Sequence, residues 1–222
     1  MPVEVGYRLV SYTDRKAAPR AGILVGGAVA AAQDILGSGF SSVVDILQAW
    51  DETHPRLAHA VADGAVTAKG IPAAEVELLA PVLYPGAFYC AGANYWDHLE
   101  EMAEIARRTT GKAPSMAKGA EPWFFMKTAA GSIVGPGAPV RLPHFAKQVD
   151  WEAELGVVIA RPTRNISEHD ALDAVAGYLI VNDLSARDLM KREGTPGLSL
   201  PCRRRISAWV RYSWRIARVM PT

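Results

Sequence analysis

The segment that most constrains the fold is residues 150–159, DWEAELGVVI, where polar and apolar residues alternate. This alternation predicts a β-strand, because successive side chains of a strand point to opposite faces. Glu152 and Glu154 would share one face, and the apolar side chains would line the other. Neighbouring carboxylates repel each other unless a positive charge lies between them. A divalent cation bound through oxygen is one arrangement that would supply this charge. The alternative is an exposed strand with two solvated glutamates.

A second acidic position follows another apolar segment. Residues 178–181, YLIV, predict a buried strand that leads into Asn182 and Asp183. Acidic residues at strand ends often contact ligands in α/β folds, so Asp183 is a candidate for a third oxygen ligand. Alternatively, Asp183 or Ser185 could cap a helix that begins there.

Residues 94–108 predict a helix that carries His98 and Glu101 three positions apart. Side chains at this spacing are neighbours on a helix. A carboxylate beside an imidazole supports its action as a general base. A histidine beside a glutamate is also common on protein surfaces, which is the alternative. The other four histidines, including His54, are expected to be solvated or structural.

Lys127 follows the apolar residues 123–126, WFFM. A cation at this position could hold the carboxylate of a substrate, or it could be an ordinary lysine at a strand end. The sequence contains no Gly-rich phosphate loop, no G-x-S-x-G elbow and no Cys/His zinc spacing. Two cysteines, Cys90 and Cys202, are too few for a disulfide framework.

The first eighty residues predict a small α/β domain. A hairpin is expected from β-prone segments at residues 7–12 and 23–25, and Ser42 with Asp45 forms a capping-box pattern at a helix start. A second helix is expected over residues 55–62. We predict domains at 1–80, 81–198 and 199–222, the last being a basic tail.

The formal net charge of +1 is divided unevenly along the chain. Residues 199–222 hold six arginines and no acidic residue, so residues 1–198 carry a net charge of −5. A basic amphipathic segment can bind membranes or nucleic acid, but the abrupt change in composition favours a reading-frame change near residue 197. We expect neither partner. The longest apolar run, residues 22–32, is too short to span a bilayer, and a cytoplasmic location is expected.

Four segments, taken in order, resemble the fumarylacetoacetate hydrolase family. They are residues 92–101 (GANYWDHLEE), 122–127 (PWFFMK), 150–155 (DWEAEL) and 182–188 (NDLSARD). The resemblance implies an α+β protein: a mixed β-roll catalytic domain, incomplete at the C-terminus, with a small α/β domain before it. The match stops near residue 196, which predicts a truncated or frame-shifted member.

The resemblance also implies roles for particular side chains. Glu152, Glu154 and Asp183 would bind Mg²⁺, or Mn²⁺ or Ca²⁺ in its place. His98 and Glu101 would be the catalytic pair that activates water.

Lys127 and Arg187 would be the cations that bind the substrate. The implied reaction is metal-dependent hydrolysis of a carbon–carbon bond in an acylpyruvate or related diketo acid, within aromatic catabolism. Two alternatives stay open: isomerisation or decarboxylation of a related 2-oxo acid, and a truncated remnant without catalysis. The resemblance implies a homodimer as well.

Overall fold

The computed structural model describes residues 6–14, 18–92, 95–112, 124–190 and 210–211. Contacts divide the chain into two compact units, one formed by residues 1–85 and 130–222 and the other by residues 86–129. The predicted domains at 1–80, 81–198 and 199–222 stay a prediction. Apart from residues 210–211, the basic tail lies outside the described residues.

The first unit begins with an antiparallel sheet of five strands. They are β1 (Arg8–Thr13), β2 (Arg20–Val25), β3 (Ala28–Ala31), β4 (Ile71–Pro72) and β5 (Glu77–Leu78). Their order in the sheet is β4-β3-β2-β1-β5. The pairing of β1 with β2 confirms the predicted hairpin.

Four helices lie between β3 and β4 in the chain. They are α1 (Ala32–Leu36), α2 (Val43–Gln48), α3 (Trp50–Ala62) and α4 (Ala65–Lys69), followed by a 3-10 turn at Ala73–Glu75. The capping box before α2 is confirmed. The Asp45 backbone N–H donates to Ser42 Oγ at 3.1 Å, and the Ser42 N–H donates to Asp45 Oδ2 at 2.7 Å.

The predicted start of α3 at residue 55 was wrong, because the helix begins at Trp50 and Pro55 lies inside it. Proline removes one backbone donor from a helix. Burial compensates here: Trp50 is 8% exposed and Thr53 is fully buried. The Thr53 hydroxyl also donates to the Ile46 carbonyl at 2.9 Å, which ties this first turn to α2.

The second unit contains β6 (Tyr89–Ala91), α5 (Trp96–Thr110) and β7 (Phe124–Met126). The two strands pair antiparallel, with Cys90 opposite Phe125. The helix extends two residues beyond the predicted end at residue 108. It ends where Gly111 adopts a left-handed conformation, with φ of 73°, which glycine allows at low cost.

The remaining elements follow in the order of the chain. They are α6 (Ala129–Ser132), β8 (Ile133–Val134), β9 (Val149–Asp150), β10 (Ala153–Ile159), β11 (Val175–Asn182), β12 (Ser185–Ala186), α7 (Arg187–Met190) and β13 (Val210–Arg211). In the first unit β10 pairs with β11, and β9 pairs with β12, both antiparallel; β8 pairs with β13 in parallel.

The sequence pattern also predicts a helix that starts at Ser167 or Glu168 and runs through Val175, and this prediction was wrong. That stretch contains only a 3-10 turn at Ala171–Ala174. Ser167 and Asp170 bond each other locally, with the Ser167 hydroxyl donating to the Asp170 carboxylate at 2.7 Å. Such local side-chain bonds compete with helix formation.

The strands β10 and β11 present two different faces. Gly156 and Val158 lie on the face whose partners on β11, Leu179 and Gly177, are buried. On the opposite face Leu155, Val157 and Ile159 are exposed by 48–57%. The predicted alternation is therefore confirmed, although its apolar side is the exposed one.

One cluster of buried side chains joins the N-terminal sheet and helices to the end of β10. It contains Ile23, Ile46 and Leu57, which are fully buried, together with Ala160 and Ala176. This core holds the strand pair β10–β11 in the first unit. Within the described ranges, no helix is long and apolar enough to cross a membrane.

Candidate metal centre and catalytic pair

The predicted continuous strand over residues 150–159 was wrong, because β9 ends at Asp150 and β10 begins at Ala153. The segment that pairs with it in the same chain is interrupted at the same level, between β11 and β12. Glu152 and Asp183 lie opposite each other in this gap, and the Asp183 backbone N–H donates to the Glu152 carbonyl at 2.7 Å. The strand gap therefore places one carboxylate from each chain segment side by side.

The structure brings together Glu152, Glu154 and Asp183, as the sequence predicted. Each offers a carboxylate oxygen, and these oxygens lie within 4.8 Å of one another. Asp183 is 3% exposed, and the two glutamates are half-buried. Glu152 and Glu154 lie two residues apart on an extended segment, and Asp183 lies opposite Glu152. The three side chains therefore share one face, which explains the grouping.

The donor set fits a hard divalent cation. Ligand oxygens lie about 2.0–2.6 Å from Mg²⁺, Mn²⁺ or Ca²⁺, so two ligands of one ion are separated by no more than about 4–5 Å. The oxygens of the cluster meet this limit. Three carboxylates gathered at a half-buried position also repel one another, and a bound cation would relieve that repulsion.

Arg187 lies beside this cluster and contacts two carboxylates. Its Nη2 lies 2.7 Å from Glu152 Oε1 and 2.9 Å from Asp150 Oδ2, while Nε donates to the same Asp150 oxygen at 3.0 Å. Burial lowers the pKa of the guanidinium, but the hydrogen bonds and charges of Glu152 and Asp150 outweigh it and raise the pKa. Arg187 is thus held by acidic side chains of this chain.

Further hydrogen bonds hold the backbone and side chain of Glu152. Its N–H donates to Asn182 Oδ1 at 3.2 Å, and the Ser185 hydroxyl donates to its Oε2 at 3.4 Å. Reasoning from the sequence gave no role to Asp150, Asn182 or Ser185 at this centre. The signal was available for Asp150, since it lies two residues before Glu152 on the same face of an extended chain.

The alternative that Asp183 or Ser185 caps a helix is not observed. Ser185 lies in β12, opposite Asp150, and the helix begins at Arg187. Instead, Asp188 accepts hydrogen bonds from the backbone N–H groups of Lys147 and Gln148, at 2.8 and 3.4 Å. The Lys147 bond is the main cause that lowers the pKa of Asp188.

The second unit carries the other predicted residues. On α5, His98 Nδ1 lies 3.8 Å from Glu101 Oε2, and the His98 side chain is 38% exposed. The two side chains are neighbours, as the spacing predicted. Lys127 follows β7. Its Nζ lies 5.9 Å from the centre of the Phe125 ring, and its backbone N–H donates to the Phe88 carbonyl. The catalytic and substrate-binding roles of His98, Glu101 and Lys127 stay predictions.

Comparisons with known proteins agree with this picture. The family model for the fumarylacetoacetate (FAA) hydrolase C-terminal domain matches residues 87–208. It therefore includes residues 199–208 of the segment predicted to be a tail. A relative, the mitochondrial oxaloacetate tautomerase fahd2 of Xenopus laevis, is 43% identical over 121 residues. That match covers 54% of this chain and 34% of the relative, so the chain corresponds to about a third of its length.

Two solved structures are similar to larger parts of the chain. The fumarylacetoacetate hydrolase of Exiguobacterium antarcticum covers 83% of it at 27% identity, with a TM-score of 0.60 and 58% of that protein matched. Maleylpyruvate hydrolase of Sphingobium, solved with manganese and pyruvate, covers 93% of it with a TM-score of 0.62 and 65% of that protein matched. At 21% identity, this second likeness concerns the fold alone.

The fold and the carboxylate cluster define a β-roll protein with a candidate acidic metal site. The chain belongs to the fumarylacetoacetate hydrolase family, whose relatives named above are enzymes. The predicted fold class, an α+β protein with the mixed β-roll of this family and a small α/β N-terminal domain, is confirmed.

Proposed function

We propose that this protein is a metal-dependent hydrolase that cleaves a carbon–carbon bond in an acylpyruvate or related diketo acid. The observation that carries the proposal is the cluster of Glu152, Glu154 and Asp183, whose oxygens lie within 4.8 Å of one another. These residues would hold Mg²⁺, or Mn²⁺ or Ca²⁺ in its place. The likeness to a fumarylacetoacetate hydrolase supports hydrolysis as the reaction.

A divalent cation at these carboxylates would supply Lewis-acid polarisation of the oxygens of a 2-oxo acid. The chain's own residues would then handle the proton. Glu101 lies on the Nδ1 side of His98, so Nε2 would be the nitrogen that takes a proton from water. The water oxygen would add to the acyl carbonyl carbon, and the carbon–carbon bond would break. A carboxylic acid would leave, and the electron pair would remain on the pyruvate-side carbon, which takes up a proton.

Lys127 would bind the substrate carboxylate through its ammonium group. It lies directly after β7 and is half-buried, so a carboxylate partner would form a charge-assisted hydrogen bond in partly dry surroundings.

The experiment measures cleavage of acetylpyruvate through the loss of the ultraviolet absorbance of this substrate. We expect activity with Mg²⁺ or Mn²⁺ and none after treatment with a chelator. His98→Ala should lower turnover by about 10²- to 10⁴-fold, the usual contribution of a general base, while Mn²⁺ binding is retained. His59→Ala is the matched control, since His59 is a largely exposed histidine of α3. Near-full activity of His98→Ala would contradict the catalytic pair.

A second candidate is tautomerisation of oxaloacetate, which the named Xenopus relative favours at 43% identity. Here a base moves a proton between carbon and oxygen, and no carbon–carbon bond breaks. Adding enol-oxaloacetate and following its ketonisation separates the two candidates. Faster ketonisation without acetylpyruvate cleavage would replace the hydrolase proposal, release of CO₂ would indicate decarboxylation, and no reaction on either substrate would indicate a remnant without catalysis.

We also propose that the protein is a homodimer in the cytoplasm. The dimer comes from the family resemblance. The Xenopus relative is mitochondrial by name, so fractionation of cells that express the natural gene tests the location. Recovery with a membrane-enclosed organelle would contradict it.

A further inference from the structure

The guanidinium of Arg187 is occupied by acidic side chains of its own unit. Its contacts with Asp150 and Glu152 measure 2.7–3.0 Å. Its backbone N–H donates to the Gln148 carbonyl at 2.8 Å, so the root of the side chain is fixed as well. A cation in this position has no need of a substrate carboxylate for charge balance.

The charges explain how an arginine can lie beside a cation site without opposing it. Asp150 takes two of the donor contacts and balances the positive charge of Arg187. The pair is therefore neutral as a unit, and Glu152 receives a directed hydrogen bond at Oε1. Ser185 contacts the other oxygen, Oε2, at 3.4 Å. A carboxylate held at both oxygens loses rotational freedom and keeps lone pairs for a metal.

We propose that Arg187 is a positioning residue: with Asp150 behind it, Arg187 holds the Glu152 carboxylate in the orientation that binds the cation, and it does not bind the substrate. This inference rests on the metal binding of the proposed function. It replaces the role that the family resemblance implied for Arg187. Outer partners of metal ligands commonly change metal affinity by about 10- to 100-fold when they are removed.

The test is the affinity for Mn²⁺ without any substrate, measured from the electron paramagnetic resonance signal of free Mn²⁺. We expect Arg187→Gln to weaken binding by about 10-fold or more, and Asp150→Asn to weaken it by less. Arg187→Lys should recover part of the loss, because lysine restores the charge without the planar fork. If Arg187 acted only through its charge, its removal would tighten binding.

Two further variants make the outcome unambiguous. Arg161→Gln removes an arginine whose Nη2 lies 2.8 Å from Oδ1 of Asp51 in α3. This variant should leave the Mn²⁺ affinity unchanged. Glu152→Gln should abolish most binding. Wild-type protein that fails to bind Mn²⁺ would overturn the proposed function. Normal binding by Arg187→Gln, with loss in Glu152→Gln, would overturn the positioning role alone. Thermal melting confirms that each variant is folded.

Discussion

Among single residues, His54 shows how burial changes the chemistry of a side chain that the sequence marked as structural or solvated. The Tyr7 hydroxyl lies 2.8 Å from its Nδ1, and its ring stacks on Trp50 with centres 4.8 Å apart. Burial lowers the pKa of His54 and raises the pKa of Tyr7. Burial therefore favours the neutral form of both groups, which share one hydrogen bond.

This histidine predicts a dependence of stability on pH. In the unfolded chain His54 takes up a proton near pH ~6.5, whereas the folded protein takes it up only at lower pH. The unfolded state thus binds more protons in this window, and the free energy of unfolding falls as the pH drops below about 6.5. Urea unfolding at pH 7, 6 and 5 measures the fall.

His54→Gln should reduce this slope, because the glutamine amide can share a hydrogen bond with the Tyr7 hydroxyl without titrating. His59→Gln is the control, since the His59 side chain is 83% exposed, and it should keep the wild-type slope. An unchanged slope in His54→Gln would show that other groups govern the acid sensitivity.

At the scale of elements, Gly156 allows the close pairing of β10 with β11. A Cβ at this position would lie 2.7 Å from Val181 Cγ2 and 2.8 Å from Leu179 Cγ. These distances are shorter than van der Waals contact, and Leu179 and Val181 are buried. Only glycine fits without displacing the side chains of Leu179 and Val181.

Gly156→Ala should therefore lower the free energy of unfolding by about 1–3 kcal/mol, the usual cost of overpacking a core. Chemical denaturation measures the change. Gly39→Ala is the matched control, because a Cβ there meets nothing within 4 Å. Equal stability of the two variants would mean that β11 moves aside at no cost.

The elements also show what could be predicted from the sequence. The start of α2 was predictable because Ser42 and Asp45 cap it within four residues. The start of α3 was not, since a bond from Thr53 to the Ile46 carbonyl and the burial of Trp50 stabilise it. Local signals are readable in the sequence, whereas these contacts come from tertiary packing.

The same distinction applies to the candidate site. The neighbours Glu152 and Glu154 could be grouped from their spacing alone, and Asp183 could be added because it ends an apolar strand. The link between Arg187 and Asp150 depends on the pairing of β9 with β12. That pairing joins segments more than thirty residues apart in the chain. The sequence therefore indicated Arg187 as a cationic residue of the site but not its contact with Asp150.

For the whole molecule, the proposed homodimer predicts a particle of twice the chain mass of 23.9 kDa. Leu155, Val157 and Ile159 show that apolar side chains are exposed on the described part of the chain, and association is favoured when such surface is removed from water. Light scattering after size-exclusion chromatography measures the mass. A mass of one chain at every concentration tested would contradict the dimer.

The register of β10 against β11 has a consequence for assembly of the centre. A slip by one residue would turn Glu154 to the opposite face, and a slip by two would bring a larger side chain than Gly156 against Leu179. The same register thus sets both the packing at Gly156 and the face on which Glu154 lies. A chain that completes this strand pair in register therefore brings Glu154 to the face that carries Glu152 and Asp183.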